Sequence, residues 1–484
     1  MNILKFALIW TASLLSSVGS SLTTFVLGVW VYQSTGSPTE FALVVLSGML
    51  PGILIGPFAG VIVDRFDRRR VMIVTDSLAA LATAAVAVLI WTQALAVWHV
   101  ALAGAVGGAC GVFHLTAYQA MTPLLIPERH LGRANGLMHL STGIQIAAPV
   151  LGATLLATVG MAGVVVLDLT TFGLAMLALL LIRLPTAVLR PNATADRNAE
   201  PNAAAERNAE SNSAAERNAE SNSAAERNAE SNSAAERNAG AGLRPAVLED
   251  LGAGLRHLRA QAGLGALVAA LTGFNFTFAV AGVLVQPLIL SFADPGVLGV
   301  LMFAGGAGML AGGLVMGAWG GPRRRIAGMT AFMALGGVFL VLHSLSPSPL
   351  LVGLAAAGFL FTLPVVNGCA HAVLQSRIDP SVLGRAMGTV HTLGSAAVPV
   401  GYLLAAPVAE HLLNPALLPG GALAGSAGLI VGVGEGRGIA LVLLLDGLLL
   451  LAVATILAAL PALRRLDHPP TPSLSPEPVP TPRP

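Results

Sequence analysis

Two carboxylates stand where a carboxylate is costly. Asp168 follows Val164-Val-Val-Leu167 and Asp446 follows Val442-Leu-Leu-Leu445, each inside a long apolar run. Facing lipid at the centre of a helix, each costs at least about 2.5 kcal/mol. The chemistry open to a carboxylate kept there is to take up and release a proton, so Asp168 and Asp446 are the candidate proton-coupling residues. The favoured expectation is plainer: both lie a few residues from the outer ends of their helices, hydrogen-bonded to neighbouring helices.

A second pattern is denser. Gly60-Val-Ile-Val-Asp64-Arg65-Phe-Asp67-Arg68-Arg69-Arg70 interrupts two apolar stretches, which places charge at a membrane boundary. Scattered through other apolar runs are Ser20, Gln119, Asn275, Asn367, His371 and Gln375, the candidate cavity residues. Polar groups avoid lipid, so as a set they suggest a polar, mostly uncharged cavity. His371 and His391 are the members that titrate near neutral pH. For any one of these, a packing hydrogen bond is the commoner role. No Lys or Arg lies mid-run, which disfavours a strongly anionic solute. The stripe Ser13, Ser16, Ser17, Ser20, Ser21, Thr23 and Thr24 also suits close helix packing.

Enzyme signatures are absent from the sequence. There is no HExxH, no metal-spaced Cys/His cluster and no nucleophile elbow. Gly432-Val-Gly434-Glu-Gly436-Arg-Gly438 has the glycines of a phosphate loop but follows no strand and runs straight into an apolar helix. Cys110 and Cys369 both fall in apolar runs and read as small buried residues. No cofactor, no metal and no nucleic-acid partner is expected.

The elements that carry these residues are membrane spans. Of 484 residues, 55% are hydrophobic and only 10% charged, with mean hydropathy +0.77. Soluble domains carry roughly 25% charged residues, so an ordinary soluble protein is excluded. Runs long enough to cross a core about 30 Å thick recur throughout. Helices are the default, since a backbone in lipid must satisfy its own hydrogen bonds. Twelve spans are expected, near 5–33, 39–63, 72–92, 97–126, 134–158, 162–183, 264–291, 296–318, 326–345, 349–375, 385–410 and 438–463. The first run continues past Val31 without a cleavage site and reads as a span, not a signal peptide. Ser37-Pro38-Thr39-Glu40 reads as a capping box opening span two. With the N-terminus in the cytoplasm, every Lys and Arg outside the spans except Arg437 falls on the cytoplasmic side, and the C-terminus returns there.

Residues 186–262 differ in kind. From Ala205 the decapeptide Ala-Glu-Arg-Asn-Ala-Glu-Ser-Asn-Ser-Ala repeats, polar and without a large apolar residue, so it cannot bury a core. Val247, Leu248, Leu251, Leu255 and Leu258 then recur at helical spacing, which suits an amphipathic helix on the cytoplasmic face. The 467–484 tail is Pro-rich and reads as extended.

Either side of that linker the chain repeats itself. Leu131-Gly132-Arg133-Ala134-Asn135-Gly136 answers Leu383-Gly384-Arg385-Ala386-Met387-Gly388. Gly143 and Pro149 answer Gly394 and Pro399, and Asp168 answers Asp446. The expected fold is an all-α membrane protein, twelve transmembrane helices in two six-helix parallel-repeat bundles, 1–185 and 263–466. Such folds carry a path between the halves and open it to each side in turn.

These residues resemble the major facilitator superfamily, in particular its bacterial efflux branch with the macrolide and siderophore exporters. Gly60-x-x-x-Asp64-Arg65-x-x-Arg68-Arg69 matches the superfamily's signature between spans two and three. Ala148-Pro149-x-x-Gly152-Ala153 is similar to the exporter signature of span five, degenerate at both ends. Members of the branch often have an acidic residue where this chain has Ser20. The resemblance implies a conformational switch at Gly60, Asp64, Arg65, Arg68 and Arg69, with Asp64 meeting the N-terminus of span eleven near Leu383 to Arg385. A carboxylate there gains about 0.3–2 kcal/mol and biases one conformation. Gly60 would let the two helices approach closely. For Arg68, Arg69 and Arg70, fixing the orientation is the favoured role.

The expected function is secondary active export of amphipathic small molecules by alternating access, coupled to proton entry, in the bacterial cytoplasmic (inner) membrane. The partners are then a small-molecule substrate, protons and the lipid bilayer. The alternatives are an importer of an uncharged nutrient and a transport-inactive scaffold or sensor.

Overall fold

The computed structural model describes residues 2–125, 131–181, 256, 263–378 and 380–467. The decapeptide repeat, the amphipathic segment after it and the Pro-rich tail lie outside the described residues, as do the side chains of Asp64, Arg65 and residues 381–385.

Among the described residues there is no strand, and the helices follow the apolar runs closely. Spans one to four are Asn2–Thr35, Pro38–Arg65, Arg68–Trp91 and Val97–Leu125. Spans seven to ten are Leu264–Leu290, Pro295–Trp319, Arg325–Leu345 and Pro349–Arg377. Span eleven is Pro380–Pro407, prolonged by a π-helical turn, Val408–Leu413, and span twelve is Arg437–Ala459. Spans five and six form one run, Leu131–Leu181, broken at Gly160. At φ 70° and ψ 176° that residue is outside the helical region, and a side chain there would be strained. At 1.5 Å per residue an unbroken 51-residue helix would reach about 77 Å, far beyond a bilayer. The break makes two spans of one.

Helix starts are set locally. Asp67 opens span three by accepting from the N–H groups of Arg69 (2.9 Å) and Arg70 (3.2 Å). Asp294 opens span eight through Val297 N–H at 3.0 Å, with Pro295 at the first helical position. Span two corrects the capping-box expectation. Ser37 Oγ does accept from Glu40 N–H at 3.1 Å, but Ser37 N–H donates to Thr35 Oγ1 and Glu40 is exposed. The reciprocal arm is absent because Thr35 Oγ1 already takes the Ser37 N–H, at 3.1 Å.

The packing repeats between halves. Span two lies on span four and span eight on span ten; span three lies on spans four and six, and span nine on ten and twelve. Both two-helix seams are glycine contacts, as expected where helices associate by close approach rather than by expelling water. A Cβ on Gly108 would strike the backbone oxygen of Gly48, and one on Gly312 the oxygen of Phe361. The chain's described end folds back: Asp467 accepts from the N–H groups of Ile326 (2.7 Å) and Ala327 (3.2 Å), capping span nine.

Among the described residues, the contacts between the halves given below lie towards one end, here called the Ser37 end. Thr39, Ala42 and Leu46 of span two face Tyr402 and Pro407 of span eleven. A Cβ on Gly299 of span eight would lie 2.6 Å from Ala153 Cβ and 2.9 Å from the Pro149 oxygen of span five. Leu22, Phe25 and Val29 of span one share an apolar cluster with Ile289, Leu298 and Val352 of the other half. Towards the opposite end, that of Arg68, open space surrounds Gly60 and Gly388, with nothing within 4 Å of an added Cβ.

Candidate functional site

Asp168 is 1% exposed and Asp446 is 5% exposed. Asp168 stands 8 residues past Gly160 (168 − 160) and Asp446 stands 9 past Arg437 (446 − 437), about 12 and 14 Å along their helices. Each thus stands about two turns inside its helix, and of the two only Asp168 has the hydrogen bond to a neighbouring helix.

The two carboxylates have related surroundings. Asp168 Oδ1 accepts from Ser20 Oγ of span one at 3.4 Å, and Thr23 stands beside it. The approach is close because residue 19 is glycine: a Cβ there would lie 2.7 Å from Asp168 Oδ1. Asp446 stands beside Thr277 of span seven, and neither of its oxygens has a hydrogen bond of acceptable geometry. Gly19-Ser-Ser-Leu-Thr23 and Gly273-Phe-Asn-Phe-Thr277 share glycine and threonine at the same spacing. Each half thus sets an aspartate of its sixth helix against a threonine of its first. Only in the second half is the carboxylate unbonded.

The other polar residues of span one are mostly absorbed locally. Ser21 and Thr24 donate to the backbone oxygens of Ser17 and Ser20, each at 2.8 Å. Asn275 lies against Gly394 of span eleven, where an added Cβ would sit 2.7 Å from its Nδ2. Asn367 and His371 are half-buried, and Gln119, Gln375 and His391 are exposed. Asn367, His371, Gln375 and His391 lie on the parts of spans ten and eleven towards the Arg68 end.

The Arg cluster has a definite job. Arg69 donates from Nε to Leu179 O and from Nη2 to Leu180 O, both at 2.9 Å, and so holds the carbonyl end of span six. Arg68, 8% exposed, donates to Ala120 O in the last turns of span four at 3.2 Å. A cation at a helix C-terminus meets unpaired carbonyls and the negative end of the dipole. These contacts lie within one half, so Arg68 and Arg69 brace the first bundle. Arg70 is exposed, 4.0 Å from Asp67.

Pro149 and Gly152 sit where span five is gripped from two sides. A Cβ on Gly152 would meet Phe25 of span one at 2.8 Å, while the Pro149 oxygen faces Gly299 of span eight.

Two residues escaped the sequence reading. Asp76, 7% exposed in span three, has Oδ1 2.7 Å from His114 Nδ1 of span four. Its signal was the one that marked Asp168, a lone carboxylate in an apolar run. Glu410, on the π-helical turn after span eleven, accepts from Ser37 Oγ at 2.8 Å and from Thr39 N–H at 2.9 Å. No sequence pattern joins positions so far apart.

Comparison with known proteins agrees with this architecture. The family model of the Major Facilitator Superfamily matches residues 9–402. Macrolide efflux protein A of Streptococcus pyogenes is 25% identical over 416 residues, 84% of this chain and 90% of that protein. The multidrug efflux pump Tap of Mycobacterium tuberculosis is 26% identical over 419 residues, 83% of this chain and 86% of that one. A bacterial homologue of the human lysosomal transporter Spinster, solved inward-facing and unoccupied, superposes with TM-score 0.63 at 13% identity, covering 96% of this chain and 97% of its own. Two repeated six-helix halves meeting around a path, and a family match across both, lead to one conclusion: the chain belongs to the major facilitator superfamily and is a multi-pass membrane transporter, not an enzyme.

Proposed function

We propose that this transporter exports amphipathic small molecules from a bacterial cell in exchange for protons. The reading of efflux leans on its relatives, which are named for macrolide and multidrug efflux. The reading of proton exchange leans on one observation of this chain, the buried Asp446 with neither oxygen hydrogen-bonded.

The positive-inside rule puts the Arg68 end in the cytoplasm, with both termini, and the Ser37 end outside. The halves then meet on the outer side, and the cavity opens to the cytoplasm, where an exporter collects its cargo. Polar, uncharged groups such as Asn275, Asn367 and Gln375, with His371 between them, would meet the polar edges of an amphipathic molecule while apolar walls take the rest. Gly60, Asp64 and Arg65 form the cytoplasmic switch, Asp64 engaging span eleven when this end closes. Pro149 and Gly152 act as the pivot between span one and span eight.

A charge buried without a partner is costly, so in this conformation Asp446 carries its proton. The conformation that lets water in releases it. Asp168 follows the same logic with Ser20 as partner, and is the weaker site because that bond supports the ionised form. Proton flux into proteoliposomes holding the full chain tests this, against a panel of macrolides and other amphipathic drugs. Compound-driven proton movement is the expected result. Uptake of a nutrient with protons would establish an importer instead, and silence with well-folded protein would overturn proton exchange.

A further inference from the structure

The outer closure between the halves contains one charged contact, and its donors and acceptor come from opposite halves. Span two begins with Pro38, which has no N–H to offer; its next donors are Thr39 and Glu40. Glu40 N–H is satisfied inside the helix by Ser37 Oγ at 3.1 Å. Thr39 N–H is satisfied from the other half, by Glu410 Oε2 at 2.9 Å, and the Ser37 hydroxyl donates to the same oxygen at 2.8 Å. One carboxylate oxygen therefore collects two donors at the positive end of a helix, the arrangement in which a carboxylate binds best.

The local winding puts it there. After Pro407 span eleven widens into the π-helical turn Val408–Leu413, in which Asn414 N–H reaches back to Ala409 O. Such turns are uncommon and gather at functional positions. Here the turn carries Glu410 to the mouth of span two, while the apolar contacts of Ala42 and Leu46 with Tyr402 continue the seam below. When the halves part at this end, the carboxylate loses both donors, and Thr39 N–H passes to water.

We infer that Glu410 is a latch on the outer face, a positioning residue that holds the halves together across span two and span eleven and favours the conformation open at the Arg68 end. The inference rests on the alternating-access reading but not on the direction of transport or the identity of the cargo.

Thiol labelling of the full chain in nanodiscs tests it without substrate. Ala42→Cys reports on the Ser37 end, where Ala42 is 3% exposed. Gly388→Cys reports on the Arg68 end, where open space surrounds the residue. In a Glu410→Ala background a hydrophilic maleimide should label Ala42→Cys roughly tenfold faster, since a charge-assisted bond is lost, and Gly388→Cys more slowly. A second variant guards against misfolding. Ser37→Asp keeps a helix cap but sets a carboxylate against Glu410, so it should shift both reporters the same way, and adding Glu410→Gln should reverse the shift. Unchanged labelling in Glu410→Ala would overturn the latch. So would a rise at both reporters, which is local loosening, or a Ser37→Asp effect that Glu410→Gln leaves in place.

Discussion

Replacing Asp446 with Asn separates a carboxylate kept for function from one kept for the fold. The two side chains have nearly the same shape, so no cavity or clash follows. A structural aspartate gives up bonds when it is replaced: losing a charge-assisted hydrogen bond costs about 1.5–3 kcal/mol, and leaving its partner buried adds to that. Asp446 has no such bond to lose, since neither oxygen has an acceptable partner and the residue is 5% exposed. Asp446→Asn exchanges one neutral, unbonded buried group for another of the same shape, so stability is expected to stay within about 1 kcal/mol of the parent. The same substitution removes the only group on span twelve able to carry a proton through the bilayer, and compound-driven proton flux should fall at least about tenfold. Thermal unfolding in detergent reads the first arm, and proton flux in proteoliposomes the second. Unfolding lowered by more than about 2 kcal/mol, or proton flux at the parental rate, would refute the reasoning. Asp168→Asn is the control, since it weakens the 3.4 Å bond from Ser20 and should cost about 1 kcal/mol.

Four other outcomes follow from the packing. Gly108→Ala should destabilise by about 1–3 kcal/mol, because its Cβ meets the Gly48 backbone and cannot be moved aside, whereas Gly104→Ala, 3.4 Å from the Ser47 hydroxyl, should be tolerated; melting of the purified pair compares them. Arg69→Ala should cost about 1–3 kcal/mol through two orphaned carbonyls at Leu179 and Leu180, while Arg70→Ala should stay within about 0.5 kcal/mol, as denaturation of both will show. Asp467→Ala should lower stability by about 1 kcal/mol by uncapping span nine, measurable in the same way. Deleting 200–236 should leave transport at the parental level, because a polar repeat without large apolar residues builds no core; a correctly inserted but inactive deletion would give the linker a role.

Span positions were readable from the sequence because a bilayer imposes length: Leu264–Leu290 and Arg325–Leu345 lie within a residue of the apolar runs that announced them. The break at Gly160 was readable as a loop because two spans cannot share one helix. Fine placement of charge was not. A lone Asp in an apolar run looks the same whether a histidine answers it, as His114 answers Asp76, or nothing does, as at Asp446. The arginines after Asp67 read as orientation charges, and only the fold shows that two of them hold the carbonyl ends of spans four and six. The capping box at Ser37 failed in one arm for a local reason, since Thr35 Oγ1 takes the N–H that Glu40 was expected to bond.

Spans two and eleven run antiparallel along the seam between the halves, and this arrangement has a consequence for the cycle. Span two presents its positive end beside the last turns of span eleven. At the Ser37 end Glu410, beyond the end of span eleven, is bonded at the start of span two. At the Arg68 end Asp64, in the last turn of span two, is proposed to engage the start of span eleven when that end closes. In the proposed cycle the halves rock about the crossing of spans five and eight at Gly299 and Pro149, so the two contacts would not form together. One carboxylate is then released as the other is caught. A pair of latches of comparable strength, each worth about 0.3–2 kcal/mol at a helix end, keeps the two conformations close in energy. That balance is what a transporter needs, since cargo and proton can tip an equilibrium only by their differential affinity for its two states. Losing either carboxylate should therefore slow transport from opposite directions, and losing both should restore part of the rate.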